Sequence, residues 1–445
     1  LSAVLHRTLA TTPALAVAGD GCYLIDGDGK RYLDASGGAA VSSLGHSQPD
    51  VIAAIQRQVA SLPYAHTSFF TNGPAERLAA KLVALAPPGF GAGRVAFVGS
   101  GSEAMEVALK LARQHFIERG EPARSHFIAR RMSYHGNTLG ALSVGGHFQR
   151  RAMYAPMLMP ATHVPPCHAY RFRRDDESDR AYGRRVADEL EAEILRVGPE
   201  RVAAFVAEPV VGATLGCAPA VEGYFARIRE ICDAHGVLFI ADEVMCGMGR
   251  TGTMFAIEHD GVCPDIVTLG KGLGAGYLPI GATMASERVI GAIESGSGAL
   301  ANGHTYMSHA VACAGALAVL ECIERGRLLD NVRAQGTQLR AALEQRFGDH
   351  PHVGDIRGRG LFLALELVED RKEKRPFPRS RRLAESIRSA GMRRGLVCYP
   401  SSGTADGERG DHVLLAPPYI LTERQVDEIV DKLDATLDSV LEETR

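Results

Sequence analysis

At 445 residues, with 46% hydrophobic and 23% charged side chains, the chain has the length and makeup of an ordinary globular protein of two domains. A net charge of -3 gives no electrostatic basis for binding nucleic acid or an anionic membrane, and no apolar run reaches membrane-spanning length. Nine scattered cysteines form no CxxC pair and no Cys/His metal spacing, which fits reduced thiols in the cytoplasm and no bound metal.

In chain order, the first 21 residues lack a basic region followed by a long apolar core, so no signal peptide is expected. Gly21–Asp34 alternates apolar and polar residues around an Asp-Gly turn and predicts a β-hairpin. Pro49–Leu62 and Pro74–Leu85 each open on proline and repeat apolar residues at helical spacing. Between them Tyr64–Asn72, YAHTSFFTN, is a polar and aromatic loop that serves either packing or a substrate wall.

From Arg94 strands alternate with helices. The strands are Arg94–Val98, Ser125–Ala129, Ala203–Ala207, Val237–Ala241 and Asp265–Leu269; the helices are Ser102–Glu118, Asp179–Val197 and Val221–His235. That alternation predicts an α/β domain with a mostly parallel sheet covered on both faces, where ligands collect at the carboxyl ends of strands. The arginine clusters Arg171–Arg174 and Arg371–Arg382 are interleaved with acids or prolines and read as solvated loops.

After about Ser308 the texture changes to helices at Ser308–Glu324 and Leu328–Phe347, short strands at Val353–Ile356 and Leu361–Leu367, and helices at Ser380–Arg394 and Glu423–Glu443. Ser401–Gly410, SSGTADGERG, reads as a polar, mobile loop. The expected division is an amino-terminal segment over 1–48 packing with the small domain, a large α/β domain over 49–307, and a small α+β domain over 308–445.

Five short features are candidates for chemistry. Gly99–Ala104, GSGSEA, joins a strand to a helix whose first N–H groups and dipole suit a phosphate, although such turns are common. It matches neither the Walker pattern nor GxGxxG. Asp242 ends an apolar strand and serves either as a cap or as partner to a protonated ring nitrogen. Tyr134 lies past another strand and suits stacking on a flat ring; Glu208 sits at yet another strand end, before a proline. Lys271 stands alone between Gly270 and Gly272. It is either an ordinary loop lysine or a desolvated amine able to form an imine with an aldehyde cofactor. A phosphate cradle, a stacking tyrosine, an acid and an isolated lysine, all at strand ends, form a combination that pyridoxal phosphate needs.

The chain resembles the class III aminotransferases of the fold-type-I architecture over nearly its whole length. The carrying residues are GSGSEA (Gly99–Ala104), YHG (Tyr134–Gly136), EP (Glu208–Pro209), DEV…GMGRTG (Asp242–Gly252), LGKGL (Leu269–Leu273), GHTY (Gly303–Tyr306), RGRGL (Arg357–Leu361) and APP (Ala416–Pro418). The resemblance implies a mostly parallel seven-stranded sheet, with the smaller α+β domain drawn from both chain ends. It implies that Lys271 is the Schiff-base lysine and proton shuttle and that Asp242 pairs with the pyridinium nitrogen. Tyr134 and Val244 would sandwich the ring, Gly101 and Ser102 would bind phosphate, and His135 and Glu208 would belong to the cofactor site. Thr305 would reach the phosphate of a neighbouring subunit, implying a homodimer with shared sites.

Departures from the family pattern point to substrate. The ornithine-like branch carries a Glu/Arg pair where this chain has Ala213 and Leu414. Its loss resembles the ω-amino acid and amine:pyruvate branch. By that likeness Phe69 lines the substrate pocket, Tyr134 borders it, and Arg409 is the candidate for the mobile arginine that binds the acceptor's carboxylate, two residues past the strict spacing at Gly407. The branch's pocket tryptophan has no counterpart, and Met245 replaces a glutamine that contacts the cofactor in many relatives. The implied activity is ping-pong transfer of an amino group from an amine or ω-amino acid to a 2-oxo acid such as pyruvate. Aminomutase, racemase, lyase and α-amino acid or diamine aminotransferase activities are the alternatives on this scaffold.

Overall fold

The computed structural model describes residues 2–442. A seven-stranded sheet crosses its large unit in the order Arg94–Val98, Gly281–Ala285, Ile266–Leu269, Leu238–Asp242, Val202–Ala207, His126–Arg130, Ala161–Val164. Gly281–Ala285 is antiparallel to both of its neighbours, and the other six strands run the same way. This is the expected α/β fold with a mostly parallel sheet. The five strands read from sequence lie within a residue of their expected bounds. Ala161–Val164 and Gly281–Ala285 are additional.

Continuous apolar runs form these strands because both faces are covered. Every residue of Val202–Ala207 and Leu238–Asp242 is buried. Successive side chains leave a strand on opposite faces. Phe205 and Phe239 therefore pack with Phe225 and Ile228 of the helix Tyr224–His235, while Val206, Leu238 and Ile240 pack with Met105, Ala108 and Leu109 of the helix Gly101–Glu118. Each large apolar side chain buried this way stabilises the fold by about 1.5–3 kcal/mol.

The amino-terminal hairpin gains a third strand, Ala16–Asp20, before Tyr23–Asp26 and Arg31–Asp34. Arg31–Asp34 then pairs in parallel with Leu396–Val397 near the other end of the chain. A second antiparallel sheet orders Val353–Arg359, Phe362–Leu367, Asp411–Leu415 and Tyr399–Ser402. The helices Leu328–Phe347 and Glu423–Glu442 pack on one another; the expected last helical residue, Glu443, lies outside the described residues. Helix Ala310–Arg325 packs on Pro49–Ser61 and Gly73–Leu85.

Ser401–Gly410 is not an open loop throughout. Its first two residues belong to a strand paired with Asp411–Leu415, and Thr404 is fully buried, donating a 2.9 Å hydrogen bond to Glu366. The buried carboxylate of Glu366 needs polar partners, and the loop supplies one. Among the described residues, no helix is long and apolar enough to cross a membrane.

Candidate active site

The carboxyl ends of Arg94–Val98, His126–Arg130, Val202–Ala207, Leu238–Asp242 and Ile266–Leu269 open on one edge of the sheet.

 
The last of these, Ile266–Leu269, runs into a single 3₁₀ turn, Lys271–Leu273, that carries the lysine. Residues from all five ends line one cavity of about 170 Å³.

Lys271 is part-buried in the cavity floor, and its backbone sits in the left-handed region at φ 42°. Protein packed around its amine strips away water and lowers its pKa, against the opposing pull of Asp242.

Asp242 closes the strand Leu238–Asp242 and is almost fully buried. Its Oδ1 accepts hydrogen bonds from the Val244 N–H at 3.0 Å and the Thr268 hydroxyl at 3.2 Å. His135 Nδ1 lies 2.7 Å from Oδ2. One lone pair of Oδ2 stays free for a donor in the cavity.

Burial works to lower the His135 pKa, but the carboxylates of Glu208 and Asp242 outweigh it, and the net direction is up. Glu208 goes up as well, because burial outweighs the charges of His135 and Arg130. Its Oε1 accepts the Tyr134 N–H at 3.1 Å, and its Oε2 lies 3.6 Å from Arg130 and 3.9 Å from His135 Nε2. Glu208 therefore holds the Tyr134 backbone and stands behind His135.

The GSGSEA turn forms a helix start. Ser100 caps it by accepting the Glu103 N–H at 3.2 Å, and Glu103 accepts the Gly99 N–H at 2.6 Å. The N–H groups of Gly101 and Ser102 open the helix beside the cavity, where the dipole favours an anion. A Cβ on Gly101 would stand 2.7 Å from Val244 Cγ1, so only glycine lets the turn approach that side chain. Ser102 Oγ accepts the Asn137 N–H at 3.0 Å and ties the turn to the YHG segment.

Tyr134, His135, Glu208, Val244, Gly101 and Ser102 thus come together with Asp242 and Lys271 around one cavity. An anion cradle, a buried acid and a desolvated amine around one small cavity fit pyridoxal phosphate.

Three residues lie elsewhere. Phe69 is 80% exposed and packs on His66. Thr305 is exposed, and its carbonyl accepts the Tyr64 hydroxyl at 2.8 Å. Arg409 is held by Asp406, with Nε 2.7 Å from Oδ2, and lines a separate cavity with Gln149 and Arg379. At the departures from the family pattern, Ala213 and Met245 line the lysine cavity, and Leu414 is buried in an apolar cluster with Val210 and Phe362.

Sequence reasoning did not reach the support beneath this wall. Arg357, from the RGRGL motif, donates to the carbonyls of Leu215 and Gly216 and pairs with Glu366 at 2.6 Å. Only the motif itself marked it, because its partners are distant in sequence.

A family model described as Aminotransferase class-III matches residues 5–437. An uncharacterized aminotransferase of Schizosaccharomyces pombe is 47% identical over 430 residues, covering 96% of this chain and 93% of that protein. A transaminase from directed evolution by ancestral reconstruction superposes with a TM-score of 0.93 at 32% identity, covering 99% of this chain and 97% of that one. The omega transaminase from Pseudomonas jessenii in complex with PMP superposes with a TM-score of 0.90 at 36% identity, covering 97% and 93%.

Proposed function

Because the chain belongs to the class-III aminotransferases, which use pyridoxal phosphate, we propose that it moves an amino group from an amine or ω-amino acid to a 2-oxo acid such as pyruvate. The observation that carries the donor class is the apolar wall. Ala213 and Leu414 place no charged pair beside the cavity, and Leu414 is buried among apolar neighbours. The likeness to an omega transaminase supports the same class.

When bound, pyridoxal phosphate supplies an aldehyde to carry the amino group and a ring that accepts electrons. The N–H groups of Gly101 and Ser102 would hold its phosphate, Tyr134 and Val244 its ring, and Asp242 the proton on the ring nitrogen. His135 and Glu208 fix the Asp242 carboxylate and the Tyr134 backbone. Lys271, with its lowered pKa, is available as a free amine to take a proton from the substrate carbon and return it one atom away. Donor and acceptor use one site in turn, giving ping-pong kinetics.

A homodimer with shared sites belongs to the proposal. Phe69, Phe70 and Tyr306 expose 80%, 69% and 66% of their surface, and large apolar side chains left in water suit burial against a partner subunit. Such a partner would bring Phe69 and Thr305 to the neighbouring cavity. Nine free cysteines fit a cytoplasmic setting.

The test is a half-reaction panel on purified holoenzyme, following loss of the cofactor's visible band. Bleaching by ω-amino acids and simple amines, but not by ornithine, is the expected result. Bleaching chiefly by α-amino acids would reject the donor class. Bleaching by none would favour a mutase or lyase.

A further inference from the structure

We propose that Arg150 binds the carboxylate of the substrate presented to Lys271, the role that resemblance to the ω-amino acid branch offered to Arg409. This rests on the transaminase reading above. Arg150 lies in the short helix Phe148–Ala152 and is part-buried. Its guanidinium carbon is 4.6 Å from the centre of the Tyr134 ring, and Tyr134 lines the lysine cavity.

Among the described residues, no ion pair or hydrogen bond engages the Arg150 guanidinium. Five donors in a planar fork are therefore free at the edge of the site, held only by the tyrosine face. Arg409, by contrast, has its guanidinium occupied by Asp406 and lines a cavity that includes neither Tyr134 nor Lys271.

Charge supports the assignment. The acids Asp242 and Glu208 face the site, and burial disfavours a charged Lys271, so an incoming carboxylate needs a cation of its own. Arg150 is close enough for its charge to contribute to the lowered Lys271 pKa. A carboxylate can draw the fork off the tyrosine into two parallel hydrogen bonds. An amine without a carboxylate leaves it stacked. One residue thereby serves both halves of the reaction.

The experiment measures binding of propanoate, an unreactive carboxylate, to holoenzyme by calorimetry in the parent, Arg150→Met, Arg150→Lys and Arg409→Met. Half-reactions with 3-aminopropanoate, pyruvate and 1-phenylethylamine follow. Arg150→Met should weaken propanoate at least about tenfold and lower kcat/KM for the two carboxylate substrates about a hundredfold. The rate with 1-phenylethylamine should stay within about threefold, and lysine should restore part of the loss. Equal losses for all three substrates would make Arg150 a support for Tyr134 and overturn the assignment. So would propanoate weakened by Arg409→Met and not by Arg150→Met. Propanoate weakened by Arg150→Met in a protein that transaminates nothing would uphold the carboxylate site and remove the transaminase reading.

Discussion

His135 Nδ1 stands 2.7 Å from Asp242 Oδ2, and behind the ring Glu208 lies 3.9 Å from Nε2. The imidazole is clamped between two buried carboxylates, whose charges outweigh burial and raise its pKa. His135→Phe should loosen the cofactor and lower kcat/KM about ten- to a hundredfold, the range for a lost hydrogen bond to a charged group. Cofactor release on ultrafiltration checks the first effect; unchanged retention would show that Asp242 needs no support from His135.

Lys271→Ala should lower turnover by more than about a thousandfold while cofactor still binds. Borohydride reduction followed by intact mass measurement should add the cofactor to the parent and not to the variant. Attachment that survives the substitution would place the reactive amine elsewhere.

Gly101→Ala puts a methyl 2.7 Å from Val244 Cγ1. The helix start or Val244 must shift, at a cost of about 1–3 kcal/mol. Pyridoxal phosphate affinity should fall about tenfold or more, and the double variant Gly101→Ala, Val244→Ala should recover part of it. No recovery would locate the clash at another atom.

Glu243 is buried, accepts N–H groups of Ala256 at 2.9 Å and Ile257 at 2.8 Å, and is pushed up by burial to about 7. Its folded pKa exceeds its unfolded value of about 4.3. Its contribution to stability is thus complete below about pH 4.3 and is lost as pH rises through about 7. Glu243→Gln keeps the side chain neutral and should flatten the decline in unfolding free energy between pH 5 and 8 by on the order of 3 kcal/mol. Parallel pH curves for parent and variant would reject this.

The sheet was legible where strands are β-branched or aromatic, as in Val202–Ala207 and Ile266–Leu269. Gly281–Ala285, GATMA, lacks that texture and becomes a strand because the sheet claims it on both edges. Site residues at strand ends were legible because each follows an apolar run. Arg150 was not, since an arginine in FQRRA looks like any surface cation until Tyr134 is seen beneath it. The anchored start of Ser401–Gly410 was hidden for the same reason: Glu366 is remote in sequence.

The left-handed backbone at Lys271 sets two pressures against each other. Glycine or asparagine would relieve that conformation, and selection for thermal resistance alone would drift toward them. Neither carries an amine. Heat tolerance in this scaffold must therefore be sought away from the turn Lys271–Leu273, and a library screened only for survival on heating would enrich folded, inert proteins at this position.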